Sequence, residues 1–141
     1  MSASLVRRPD WPQRLAALFE ERRHTPYAFG TNDCGVMMRE SVRAMTGVDL
    51  FPGVEAPGSA LAVAKFLKRN GWADVEDMMA AVLGPALPRT AFARRGDVVS
   101  FASPDGEFHL AVVAGATAGT PGPAGLEWVP MMAWRKAWKV G

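Results

Sequence analysis

The first half of the chain places apolar and polar residues with the period of amphipathic helices. The clearest segment runs from residue 34 to 46, where apolar positions recur at i, i+3, i+4 and i+7, a spacing that puts them on one helix face. That face carries Cys34, Met37, Met38, Ser41, Val42 and Met45. Asn32 or Asp33 is a suitable N-cap and Gly47 a suitable stop. The pattern predicts a core-facing helix that begins at or next to the cysteine.

Three further helices are predicted around this one. The first begins after Asp10 and ends near His24, because Pro26 biases the residue before it away from helical angles. Ser59 opens a short helix, and Asp74 caps another, since both residue types accept hydrogen bonds from a first helical turn.

From residue 96 onward the pattern of apolar and polar residues changes to short apolar runs bounded by turn residues, which is typical of β-strands. Strands are predicted over 97–101, 108–114, 126–129 and 133–140, with a turn at 103–106. Residues 116–124, rich in Gly, Pro, Thr and Ala, are expected to form a flexible loop. Helices followed by strands indicate an α+β fold, and 141 residues suit one domain over 1–141.

Composition and charge exclude several classes of function. Apolar residues make up 49% and charged residues 21% of the chain, and the net charge is +2, which is ordinary globular usage. Lys and Arg are scattered, so no nucleic-acid partner is indicated. The pairs Arg22-Arg23 and Arg94-Arg95 are interpreted as solvated surface rather than phosphate contacts. No stretch approaches the ~20 apolar residues of a membrane span, and the N-terminus lacks a secretory h-region. Synthesis in the cytoplasm is predicted.

Cys34 is the strongest candidate for chemistry. It is the only cysteine, which excludes an internal disulfide, and with two histidines at no paired ligand spacing it does not predict a metal site. Its place in the first helical turn favours a thiolate through the helix dipole. Gly35 leaves room for a substrate backbone, and the Cys34 N–H is free to hold an oxyanion. We expect a thiol pKa below the ~8.5 of a free cysteine.

His109 is the candidate partner of this thiol. It opens a strand whose other residues are almost all apolar. A polar ring at the mouth of a buried strand is well placed to face a helix N-terminus, where it can accept the thiol proton. His24 is predicted to be a helix-end or surface residue.

Taken together, these blocks resemble the NlpC/P60 cysteine peptidases. The shared pattern is Tyr27-x-x-Gly30, Asp33-Cys34-Gly35, Gly96-Asp-Val-Val-x-Phe101 and His109-Leu-Ala-Val-Val-x-Gly115. A compact phage- and prophage-associated branch also ends in a segment similar to residues 137–140. The resemblance implies a permuted papain-like fold, with N-terminal helices packed on a small antiparallel sheet. It also implies cleavage of amide bonds in peptidoglycan stem peptides, without a cofactor, by a phage or prophage tail-associated protein.

The resemblance also implies roles for individual residues. Cys34 corresponds to the nucleophile, His109 to the base and Tyr27 to the tyrosine at the oxyanion hole. Asp33 corresponds to the acidic residue before the nucleophile and is expected to cap the helix. Glu127, on the strand after the loop, is the candidate that orients the histidine.

The sequence departs from the family pattern at three points. Gly35-Val36 follows the cysteine where Ser-Gly is usual, Ala111 replaces a glycine, and the third polar residue has no clear match, with Thr117 or Thr120 as alternatives to Glu127. A second hypothesis is therefore a non-catalytic phage tail-tip structural protein that retains the fold. A third is an intracellular acyltransferase that uses the same cysteine and histidine.

Overall fold

The computed structural model describes residues 4–141. In this part of the chain four α-helices come first: α1 (Trp11–Arg22), α2 (Cys34–Thr46), α3 (Ala60–Arg69) and α4 (Val75–Leu83). Five strands follow: β1 (Val98–Ala102), β2 (Phe108–Val113), β3 (Thr117–Gly122), β4 (Gly125–Pro130) and β5 (Lys136–Trp138). Short 3-10 helices cover Thr90–Phe92 and Met131–Ala133. This order confirms the predicted α+β class.

The helix that carries Cys34 has the boundaries that its sequence predicts. The Asp33 side chain accepts a hydrogen bond from the Val36 N–H at 2.9 Å, which satisfies one of the free donors of the first turn. Gly47 ends the helix in the left-handed conformation, φ 78°, where glycine is favoured. The predicted apolar face is buried, and it includes Met37, Met38, Ser41, Val42 and Met45.

The five strands form one antiparallel sheet in the order β4-β3-β2-β1-β5. The prediction of a flexible loop over 116–124 is wrong, because Thr117–Gly122 forms β3 between β2 and β4. Small residues serve a packing purpose there. The Trp128 ring lies over Gly119, where an added Cβ would come within 3.2 Å of it. The partner strands therefore decide the structure of a segment whose composition is typical of a loop.

The two faces of the sheet bury different cores. Leu110 and Val112 of β2 pack with the methionines of α2, whereas Ala111 and Val113 pack into a second core on the other face. Successive side chains of a strand point to opposite faces, so each residue of β2 is assigned to one side. Even-numbered residues of β2 face the helices, and odd-numbered residues face away from them.

None of the helices in the described residues is long and apolar enough to span a bilayer.

Candidate functional site

Cys34 is the first residue of α2, and Asp33 fixes the turn that leads into it. One carboxylate oxygen of Asp33 accepts from the Val36 N–H at 2.9 Å, and the other accepts from the Gly30 N–H at 2.8 Å. The Asp33 residue is 7% exposed. Both oxygens are engaged with backbone donors, so Asp33 has the structural role that the sequence suggested.

The surroundings of the Cys34 sulfur favour the neutral thiol. Burial raises its pKa to about 11, and the negative charge of Asp33 acts in the same direction. The backbone N–H groups of Leu110, Gly35 and Cys34 itself oppose this shift. The expectation of a pKa below ~8.5 is therefore contradicted, because desolvation of the thiolate outweighs the N–H dipoles at the helix end.

The sulfur lies where β2 and β3 separate. These strands pair only at Val112↔Gly119 and Val113↔Ala118. Beyond that point the Leu110 carbonyl accepts a hydrogen bond from the Thr120 hydroxyl at 2.9 Å. The Leu110 N–H, left without a partner in β3, acts on the Cys34 sulfur.

His109 lies on the other face of the sheet. It is paired with Phe101 of β1, and the two rings pack with their centroids 5.6 Å apart. Phe101 belongs to the second core, whereas Cys34 and Leu110 belong to the core under the helices. Strand alternation therefore assigns His109 to the side of β2 opposite Leu110 and Cys34. Among the described residues no hydrogen bond joins Cys34 to His109, so the dyad stays a prediction.

Phe108, the first residue of β2, lies on the same face of the sheet as Cys34. It is two positions before Leu110, so strand alternation directs both toward the helices. The Arg135 guanidinium covers the Phe108 ring at 4.0 Å and is bonded to the buried Glu76 of α4 at 3.1 Å. An aromatic ring and an ion pair therefore lie on the helix face of the sheet at the start of β2.

Tyr27 lies in the segment that connects α1 to α2. Its backbone N–H donates to the Gly122 carbonyl at 2.8 Å. Burial raises the pKa of Tyr27 to about 12, and negative charges on Cys34, Asp33 and Glu107 contribute further. Its hydroxyl is therefore protonated at neutral pH and can donate a hydrogen bond. The role of Tyr27 at an oxyanion stays a prediction.

The candidates for orienting His109 do not contact it through hydrogen bonds among the described residues. Glu127 is exposed on the edge strand β4, opposite Thr120, and its side chain covers Gly122. The Thr120 hydroxyl is bonded to the Leu110 carbonyl. Thr117 lies at the far end of β3. Glu127 and His109 share a sheet face by alternation, so the orienting role of Glu127 stays a prediction.

A group of ligand-type side chains at the hairpin was not predicted. The side chains of Asp105, Glu107 and His109 bring one ligand atom each within 4.8 Å of one another. Both carboxylates are exposed, and such groups are common at surfaces without an ion. The alternation of residues 105, 107 and 109 around the turn is the sequence signal that could have found the group.

Comparison with known proteins assigns the chain to a family without assigning an activity. None of the curated proteins compared with it matches significantly. A family match extends over residues 6–140, nearly the whole chain. The chain therefore belongs to the family described as a domain of unknown function, DUF6950.

Proposed function

We propose that this protein is a non-catalytic relative of the NlpC/P60 peptidases that serves as a structural component of a phage or prophage tail tip. The fold in this proposal is the permuted papain-like one, in which the helix bearing the cysteine packs on an antiparallel sheet. What supports the loss of catalysis is that strand alternation and the contact with Phe101 assign His109 to the sheet face away from Cys34.

The ionisation of the thiol supports the same proposal. With a pKa of about 11, about one Cys34 in ten thousand is a thiolate at pH 7, against about three in a hundred for a free cysteine with a pKa of ~8.5. Thiolate is the nucleophilic form, so the site has about 300-fold less of it than an unperturbed cysteine. A catalytic cysteine shows the opposite shift.

A second candidate function is a cysteine peptidase or amidase that cleaves peptidoglycan stem peptides. It is favoured by Tyr27, whose pKa responds to both Cys34 and Glu107, while Glu107 lies beside His109. This candidate requires a movement of the hairpin that brings His109 to the sulfur. Cys34 would attack the acyl carbon, His109 would take the thiol proton and pass it to the leaving amine, and water would release the acyl-enzyme.

Incubation with purified peptidoglycan separates the two candidates. Wild type, Cys34→Ala and His109→Ala are compared by mass spectrometry of the released fragments. Under the structural proposal all three release the same background, and iodoacetamide modifies wild-type Cys34 slowly at pH 7. Fragments that appear with wild type and vanish with both variants would establish the peptidase and overturn the proposal.

The proposed role as a tail component is tested in purified phage particles. If the protein is a tail component, it is present in purified particles from a producing strain, and its deletion stops tail assembly. Cys34→Ala leaves particle yield and infectivity unchanged, because only the fold is required. Absence of the protein from particles would count against the tail role.

A further inference from the structure

A cavity of about 600 Å³ opens at the end of the sheet away from Cys34. It lies where the N-terminal segment, residues 4–10, passes the beginning of β1 and the end of β5. Its lining includes Arg7, Trp11, Phe92, Arg94, Arg95 and Lys139. Its volume falls within the range of pockets that hold small ligands, about 300–1,000 Å³.

Arg7 builds the wall of this cavity. Its guanidinium donates to the Val140 and Arg95 carbonyls, at 2.7 Å each, and to the Asp97 carboxylate at 2.9 Å. It also covers the Trp11 ring at 4.3 Å. With its donors directed at protein groups, Arg7 holds the segment in place rather than offering itself to a ligand.

The acidic side chain that lines the cavity, Asp97, already accepts hydrogen bonds from protein groups. Asp97 is the only acidic side chain among the lining residues. It is 3% exposed, and besides Arg7 it accepts from the backbone N–H of Arg94 at 2.8 Å and of Val140 at 3.0 Å. It therefore has little capacity to neutralise further cations.

Three cations remain at the mouth of the cavity. Within residues 4–141 the side chains of Arg94, Arg95 and Lys139 form no salt bridge, and all three residues are exposed. Burial lowers the pKa of Arg7, and the like charge of Arg94 also lowers it. Positive charges that converge on a concave surface create a potential that attracts anions. Arginine is the side chain best suited to phosphate, because its planar fork can bind two oxygens at once.

An apolar ring stands beside these charges. Phe92, the last residue of the 3-10 helix Thr90–Phe92, is 56% exposed and lines the cavity. A flat ring of a ligand can stack on such a face. We propose that this cavity binds a nucleoside phosphate, with its phosphates on Arg94, Arg95 and Lys139 and its base on Phe92. From the sequence alone, Arg94-Arg95 are interpreted as solvated surface. The cavity that brings them together with Lys139 forms only in the folded chain, so the sequence does not reveal it. The proposal is independent of the function of Cys34.

Titration calorimetry of the full chain at low salt tests the site with three probes: ATP, inorganic triphosphate and a glutamate-rich peptide. ATP is expected to bind with a Kd of roughly 10–100 µM, or about −7 to −5.5 kcal/mol. Arg94→Gln/Arg95→Gln should weaken ATP and triphosphate at least tenfold. Phe92→Ala should weaken ATP several-fold and leave triphosphate unchanged. A matched control, Arg14→Gln/Arg23→Gln, removes two exposed arginines from α1 and should change the ATP Kd less than twofold.

Melting temperatures within about 2 °C of wild type show that a variant is folded. The proposal is overturned if no phosphate probe binds below ~1 mM, a Kd of 1 mM being only about −4 kcal/mol. It is also overturned if the control double variant weakens ATP as much as Arg94→Gln/Arg95→Gln does. Binding of the acidic peptide alone would replace it with a protein partner. Equal loss of ATP and triphosphate in Phe92→Ala would overturn the stacked base.

Discussion

Exchanging the residues at 108 and 109 should convert the thiol of Cys34 into a reactive one. In the double variant Phe108→His/His109→Phe, strand alternation moves the imidazole to the face of β2 that Leu110 shares with the cysteine. The new phenylalanine at 109 retains an aromatic contact with Phe101. The exchange therefore moves one functional group across the sheet and keeps the composition of the chain.

The size of the effect follows from the thiol pKa. At pH 6, where an imidazole of ordinary pKa ~6.5 is mostly protonated, a thiol pKa of about 11 leaves about one Cys34 in a hundred thousand ionised, and a neighbouring imidazolium lowers that pKa by ~1–3 units. The thiolate fraction then rises to between about one in ten thousand and one in a hundred. Loss of the stacking of Arg135 on Phe108 should destabilise the fold by about 0.5–1 kcal/mol. Glu76, bonded to Arg135, partly offsets the repulsion between that arginine and the new imidazolium.

The assay is the rate of iodoacetamide modification of Cys34 against pH, followed by mass spectrometry. The exchange variant should react about ten- to several-hundredfold faster than wild type at pH 6. His109→Phe alone is the control and should match wild type, because His109 lies on the other face. If His109→Phe alone slows the reaction, the assignment of His109 to the opposite face of the sheet is refuted. If the wild-type profile already has a midpoint below ~8, the raised pKa of the Cys34 thiol is refuted.

Three further substitutions test the surroundings of the site. Asp33→Asn should speed Cys34 alkylation at fixed pH, since it removes a charge that raises the thiol pKa, and should lower the free energy of unfolding in urea by about 1–2 kcal/mol because one capping acceptor is lost. Glu127→Gln should change the free energy of unfolding by less than about 0.5 kcal/mol and leave alkylation unchanged; a large loss of either would restore Glu127 as an orienting residue. Gly125→Ala should lower stability in the same urea titration by more than about 3 kcal/mol, because a Cβ at its φ of 128° would collide with the Arg23 carbonyl; a variant as stable as wild type would contradict that close approach.

Local signals in the sequence located the helices well. The caps Asp33, Ser59 and Asp74 each accept a hydrogen bond in the first turn of the helix that they begin. Capping and apolar period are properties of a few neighbouring residues, so they can be recognised without the fold. Asp10 is an exception, because it precedes α1 without a side-chain capping bond. Its carboxylate is bonded to Arg14 instead.

The side of the sheet on which His109 lies could not be predicted in the same way. A strand with one solvated face alternates apolar and polar residues, and that alternation assigns each residue to a face. From Leu110 to Val113 the residues of β2 are buried on both faces, so either direction of His109 agrees with the sequence. Tertiary packing decides between them.

The pKa of Cys34 shows why a motif does not establish a reactive thiol. A helix N-terminus is worth typically 0.3–1 kcal/mol, and up to ~2 kcal/mol in favourable buried geometry, which corresponds to at most about 1.5 pKa units. Burial can shift a pKa by up to 3–5 units in the opposite direction. Without a cation close to its sulfur, a cysteine at a buried helix end therefore stays protonated. In this chain the local sequence supplies the dipole and the cap at Asp33, whereas activation requires an imidazole that β2 directs to the other face. The reactivity of Cys34 thus depends on which residue of β2, 108 or 109, points to the face of the sheet that carries the cysteine. The exchange at these two residues is therefore the most discriminating experiment.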